Sequence, residues 1–164
     1  MSGTGATLNL RAATADDLDA YFLLFSEVQT LHVAERPDLF QPAEKSQAFQ
    51  RHFADAVAQP HKEIVMAWMG DEPVGAVHYE VTSLDPTGVY LIDRPMLWIE
   101  SIAVLPHLRR KGIASALIGL VRQVATQKGI ADLGLEVWSF NEGAAKAFEA
   151  AGLRVHATTM LGDV

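Results

Sequence analysis

The run Arg109-Arg110-Lys111-Gly112-Ile113-Ala114 is the stretch of this 164-residue chain best suited to chemistry. It sets three consecutive cations before a glycine and an alanine that open a helix, in a chain of formal charge -7. Just upstream, Met96 to Leu105 is apolar on both faces, reads as a central buried strand, and stops at Pro106. The first backbone N–H groups of a helix have no internal partner and carry the positive end of the dipole. A strand–loop–helix junction of this kind is therefore a ready anion site. Gly112 and Ala114 leave room for a ligand to approach the backbone closely. The expected ligand is a phosphate ester or pyrophosphate, each charge-assisted hydrogen bond contributing about 1.5–3 kcal/mol. The competing reading is a solvated basic loop. The run is neither a GxxxxGK[ST] loop nor a GxGxxG turn. Within the same strand, Glu100 stands in Leu97-Trp98-Ile99-Glu100-Ser101-Ile102, where burial raises a carboxyl pKa.

The elements that must position these residues are legible in the periodicity. Thr7 to Ala12 reads as a short first strand. Thr14 caps a helix whose first turn holds Asp16 and Asp17, whose apolar face holds Leu18, Tyr21, Phe22, Phe25, Val28 and Leu31, and which Pro37 stops. A loop follows, and a second helix covers about Ala43 to Ala58. Glu63 to Met69 and Val74 to Thr82 form a hairpin about Gly70-Asp71-Glu72-Pro73. After the Met96–Leu105 strand, Gly112 to Lys128 is an amphipathic helix with Ile113, Leu117, Leu120, Val121 and Val124 on one face. Leu133 to Ser139 is a strand, Gly143 to Ala151 a short helix, and Leu153 to Met160 a last strand.

Length and composition fit one domain, residues 1–164, with residues 1–6 a floppy leader. A domain of this size buries about 70% of its unfolded surface and needs no staple. No cysteine is present, which excludes disulfides, thiolate metal sites and a cysteine nucleophile, and fits a reducing cytoplasm. The acidic balance repels nucleic acid and anionic membrane, and no apolar run approaches the ~20 residues of a membrane span. His78 and the other histidines lack metal-ligand spacing, so no metal is expected.

Arg109-Arg110-Lys111-Gly112-Ile113-Ala114 resembles the [QR]-x-x-G-x-[GA] signature of the GNAT N-acetyltransferase superfamily, set between a strand ending Val-x-Pro and an amphipathic helix. Leu133-Gly134-Leu135-Glu136-Val137-Trp138-Ser139-Phe140-Asn141, then Ala144, Phe148, Gly152 and Leu153, is similar to the family's strand, asparagine, short helix and Gly-aromatic ending, with Leu153 at the aromatic position. The resemblance implies an α/β (α+β) fold in the order β1-α1-α2-β2-β3-β4-α3-β5-α4-β6, a mixed sheet whose parallel central strands splay apart. It implies acetyl-CoA as cosubstrate, with the pantetheine arm along Ile102, Ala103 and Val104 and the pyrophosphate on the amides from Arg109 through Arg110, Lys111, Gly112 and Ile113 to Ala114. Asn141 would contact the cofactor from the second central strand, although asparagine is also a favoured helix cap. Members are often dimers, so a homodimer is implied.

Acetyl transfer to an amine needs a neutral nucleophile and protonation of the leaving thiolate. The resemblance gives Glu100 the role of base or acceptor-binding group, against a structural ion pair. Phe148 occupies the position where the family usually has an acidic tyrosine, so either the thiolate leaves unassisted or protonated by water, or another residue substitutes, with Ser139, Tyr90 and His107 open. The acceptor, a small-molecule or peptide amine, is expected near the first two helices, where His32, Glu35, Arg36, Asp38 and Phe40 lie; capping and solvation of helix ends is their alternative. The competing function is a non-catalytic acyl-CoA-binding or sensing domain on the same fold, and a site for a smaller nucleotide is a third.

Overall fold

In the computed structural model, residues 7–162 are described; the leader expected at residues 1–6 lies outside them. Strand β1 (Leu8–Ala12) leads through a 3-10 turn (Ala15–Asp17) into α1 (Leu18–Glu35). The turn is fixed by Asp17, whose carboxylate accepts the Thr14 N–H at 2.7 Å and pairs with both Arg11 guanidinium nitrogens at 2.7 and 2.8 Å. Helix α2 (Gln47–Ala58) is capped by the Ser46 hydroxyl. Strands β2 (Lys62–Met69), β3 (Glu72–Ser83) and β4 (Pro95–Val104) follow, then α3 (Ile113–Gln127), β5 (Asp132–Leu135) and α4 (Glu142–Ala150).

The sheet runs β1-β2-β3-β4-β5 in space, antiparallel throughout except for the parallel pair β4–β5. Side chains alternate faces along each strand. His78 meets α2 through His52, and Tyr21 of α1 reaches Ser101, so α1 and α2 cover that face. Gly75 and Tyr79, of the opposite parity, lie against α3 residues including Ile113 and Leu120. Met66, Val74, Val77, Leu97, Leu117 and Val121 fill the core without exposure. None of the described helices is long and apolar enough to cross a membrane.

The central strands part company early. Pairing of β4 with β5 covers only Met96–Ile99 against Asp132–Leu135, and β4 continues five residues beyond it to Val104. Two details depart from the sequence reading. Strand β5 stops at Leu135, so Glu136 to Phe140 leave the sheet rather than extend it. The last strand, β6, expected at Leu153 to Met160, does not form: the described residues after α4 carry no strand. Val155 is 78% and Met160 89% exposed, so the alternation that suggested a strand finds no apolar face to cover.

Between β3 and β4 the chain makes a loop pinned by Asp85. Its carboxylate takes the Thr87 hydroxyl at 2.5 Å and the amides of Thr87, Val89, Tyr90 and Leu91. These bonds, the Thr87 hydroxyl first and then the amides, hold its pKa far below the carboxylate range. The loop displays Val89, Tyr90, Leu91 and Ile92 to solvent.

Candidate functional site

Glu100 owes its position to a register shift. Ile99 pairs with Tyr79 and Ser101 with His78, so Glu100 is the extra residue of a β-bulge in β4. A bulge re-aims a side chain that strict alternation would fix. Glu100 and Ser101 thereby both line a cavity of about 380 Å³ on the α1/α2 face, with Tyr21, Phe25, Phe49 and His52 on its helical side. The sequence reading placed Glu100 in a buried strand; the bulge instead leaves its side chain accessible through the cavity. The carboxyl is still partly desolvated, and this burial, with the neighbouring Glu80 second, raises its pKa, while His52 and Lys62 act the other way.

The neighbours are mostly settled partners. The Tyr21 and Ser101 hydroxyls are 3.2 Å apart. His78 is 2% exposed, and burial, reinforced by His52, lowers its pKa to about 4, so the ring is neutral at pH 7. Its Nε2 is buried without a hydrogen-bond partner.

Immediately downstream, β4 presents a free backbone edge. The Leu105 N–H donates to the Val74 carbonyl at 3.1 Å. Antiparallel bonding alternates, so Ala103 also faces β3, whereas Ile102 and Val104 turn their polar groups toward the gap left by β5. Of the three residues expected to meet the cofactor backbone to backbone, Ala103 is therefore engaged with β3.

The turn that follows has left-handed backbone at Arg110 (φ 62°) and Gly112 (φ 84°). Only glycine adopts such a conformation without cost, and a Cβ built at Gly112 would meet no atom within 4 Å, so the space before the turn is open. Kinked backbone of this kind gathers amides into an anion-binding concavity. The first bond of α3 runs from Ala116 N–H to the Gly112 carbonyl at 2.9 Å, which leaves the amides of Ile113, Ala114 and Ser115 with no partner inside the helix. The Ile113 side chain is buried in the core, so the helix start is anchored to the sheet. Arg110 and Lys111 are exposed; Arg109 folds back, its Nε donating to the Val104 carbonyl at 3.3 Å.

Asn141 caps α4, its Oδ1 accepting from Ala144 N–H at 3.2 Å. Phe148 is buried, 8% exposed. His32 and Phe40 stack at 4.7 Å and join Trp138 and Phe140 in an aromatic cluster, tying the loop after α1 to the segment after β5. Glu35 is exposed at the end of α1. None of His32, Glu35 or Phe40 lines the cavity beside Glu100. Tyr90 is 86% exposed on the Asp85 loop, Ser139 is exposed, and His107 lies 3.7 Å from Glu72. The sequence reading passed over Phe49, His52 and Ser101, and assigned Tyr21 and Phe25 to a helix face; their convergence depends on packing between α1, α2 and β4. Among the described residues no three His, Asp or Glu side chains gather to hold a metal ion.

Residues 25–153 match the Acetyltransferase (GNAT) family. No curated protein matches the sequence significantly. Among solved structures, a tetramutant of the BH1408 protein from Bacillus halodurans superposes with a TM-score of 0.86 at 22% identity, over 95% of this chain and 99% of that one. The aminoglycoside N-acetyltransferase AAC(6')-Iy in complex with CoA gives 0.78 at 18% identity, over 100% and 99% of the two chains. The aminoglycoside 6'-N-acetyltransferase AAC(6')-Ih from Acinetobacter baumannii gives 0.73 at 17%, over 96% and 99%. At these identities the likeness is one of fold.

Proposed function

The chain belongs to the GNAT family of acetyl-CoA-dependent acetyltransferases, and on that premise we propose that it is a cytoplasmic N-acetyltransferase acting on a primary amine in a ternary complex. One observation carries the reading. Glu100 opens into an acceptor-sized cavity, and the free edge of Ile102 and Val104 begins two residues further along the same strand. Acceptor and donor would thus meet at one point of β4.

The residues present fit acetyl-CoA. Beyond its pairing with β5, the edge of β4 can take the amide groups of a pantetheine arm at Ile102 and at the Val104 N–H, the Val104 carbonyl being bonded to Arg109 Nε. The open left-handed turn and the amides of Ile113 and Ala114 suit a pyrophosphate, with Arg110 and Lys111 adding charge. When bound, acetyl-CoA supplies the thioester carbonyl carbon that the amine attacks. Glu100 accepts a proton, directly or through water, from the entering ammonium and so exposes its lone pair. The C–N bond then forms as the C–S bond breaks; the nitrogen releases its second proton to water, and the departing sulfur takes one from water, directly or through the Tyr21–Ser101 hydroxyl pair, which water reprotonates. Arg109, bonded to Val104, serves to hold the end of β4. A cofactor role for Asn141 and Phe148 belongs to the same proposal, with Phe148 able to contribute apolar surface but no proton. The homodimer belongs to the same proposal, supported by the exposed apolar run Val89–Ile92; light scattering tests it.

Glu100→Gln keeps shape and hydrogen-bonding reach but removes the base. Turnover in a thiol-release assay should fall about 10²–10⁴-fold, with CoA affinity nearly unchanged. The acidic limb of the pH–rate profile, set by a carboxyl pKa above its usual value, should flatten. A raised acceptor KM at normal kcat would make Glu100 an anchor. Full activity with an unaltered profile would overturn both roles. Phe148, a buried ring without a hydroxyl where the family usually has a tyrosine, favours one alternative, a non-catalytic acyl-CoA sensor. Tight CoA binding without thiol release against any amine would establish that alternative.

A further inference from the structure

The cavity beside Glu100 has a composition that narrows the acceptor. Its helical wall is aromatic: Phe49 of α2 lies 6.0 Å from Tyr21 and 5.0 Å from Phe25, ring centroid to ring centroid. Glu100 is the only carboxylate in the lining. Its other polar groups are the Tyr21 and Ser101 hydroxyls, which face each other, His78, which is buried and uncharged, and His52, whose ring packs against His78 at 5.3 Å. Outside the lining, Asp55 and Lys62 pair at 2.7 Å, and Glu80 on the adjacent strand hydrogen-bonds the Glu100 carboxyl, so the two carboxyls form one acidic point rather than two separate ones. A volume of about 380 Å³ holds about a dozen groups of water size, taking ~30 Å³ for each.

From this we infer that the acceptor is a compact monoamine, one ammonium on an aromatic or aliphatic body of about a dozen heavy atoms, rather than a polyhydroxylated or polycationic amine. The inference rests on the proposed acetyl transfer at Glu100. The ammonium pairs with the one acidic point, Glu100 backed by Glu80, and the ring faces of Tyr21, Phe25 and Phe49 receive the apolar body, an arrangement aromatic rings also favour next to a cation. A polycation would set its further ammonium groups against apolar rings and a neutral imidazole, where each lacks a partner. An amino sugar would bury hydroxyls with few free partners, a mismatch that discriminates strongly.

The test compares phenethylamine and hexylamine with spermidine and neamine, using the full-length protein. Thiol release gives kcat/KM, and calorimetry gives binding to the CoA-saturated protein. The apolar monoamines should lead by about tenfold or more in both measurements. Ala48→Trp, at an exposed position of the first turn of α2 that lines the cavity, should raise the KM for phenethylamine about fivefold more than that for ethylamine, about 1 kcal/mol. Phe49→Leu should weaken phenethylamine binding while thermal unfolding confirms the fold. Preferential acetylation of spermidine or neamine would overturn the inference and leave acetyl transfer standing. Binding of the monoamines without thiol release would support the pocket assignment and remove the enzymatic reading. Absence of both binding and turnover for the monoamines, or an Ala48→Trp variant with unaltered selectivity, would refute the inference.

Discussion

Gly75→Ala should loosen the contact that fixes the start of α3 to the sheet. A Cβ at Gly75 would lie 2.9 Å from the Ala103 carbonyl oxygen, 3.0 Å from Ile113 Cγ2 and 3.4 Å from Leu117 Cδ1. The first of these is backbone of β4, paired with β3 and unable to swing aside; the second is the buried side chain that anchors the first turn of α3. To regain ordinary van der Waals contact, the strand and helix must part by several tenths of an ångström. Overpacking of this kind costs about 1–3 kcal/mol. At about 2–4 °C per kcal/mol for a chain of this length, the melting temperature should fall by about 2–12 °C. Because the displacement falls at Ile113, one residue after the open turn, CoA affinity should drop several-fold while the Tyr21–Ser101 side of β4 stays in place. Thermal unfolding followed by circular dichroism measures the first effect and calorimetric titration with CoA the second. A Gly75→Ala protein with wild-type melting temperature and CoA affinity would refute the idea that close approach at Gly75 sets the position of α3.

Three further outcomes are expected. Gly112→Val forces a β-branched residue into φ 84° and should weaken CoA binding by about tenfold or more, equivalent to about 1.4 kcal/mol; unchanged affinity in a folded variant would remove the proposed phosphate cradle. Asp17, held at about 2 chiefly by its hydrogen bonds with Arg11, contributes stability that is present above the ordinary carboxylate pKa and lost as pH falls toward 2; with the exposure of Arg11 discounted, Asp17→Asn should cost about 1–2 kcal/mol at pH 7 and nothing at the lowest pH, read from urea unfolding. His78 is neutral in the fold down to about pH 4 but takes a proton in the unfolded chain below about 6.5. Stability should therefore decline by about 2–3 kcal/mol between those values, and His78→Gln should lessen the decline if the variant folds.

The sequence by itself determined what is local. The junction from Val104 to Ala114 was readable because a proline, three cations, a glycine and a helix start lie within a few residues, and their geometry follows from neighbouring backbone: the left-handed Gly112 and the uncommitted amides of α3 are where the pattern puts them. The hairpin and the helix faces were legible for the same reason, since periods of two and 3.6 are properties of a short segment. Tertiary structure alone decided the cavity proposed for the acceptor. The bulge that turns Glu100 into a cavity exists only in the pairing of β4 with β3, and a one-residue shift in register leaves no mark in β4's own alternation. Phe49, His52 and His78 come to Glu100 from a helix and a strand remote in the chain, whereas His32 and Phe40, nearer in expectation, close instead on Trp138 and Phe140. The unformed strand at Leu153 to Met160 follows the same rule. Alternation lets a segment be a strand, but only a partner edge makes it one, because backbone hydrogen bonds in a sheet are supplied by another part of the fold.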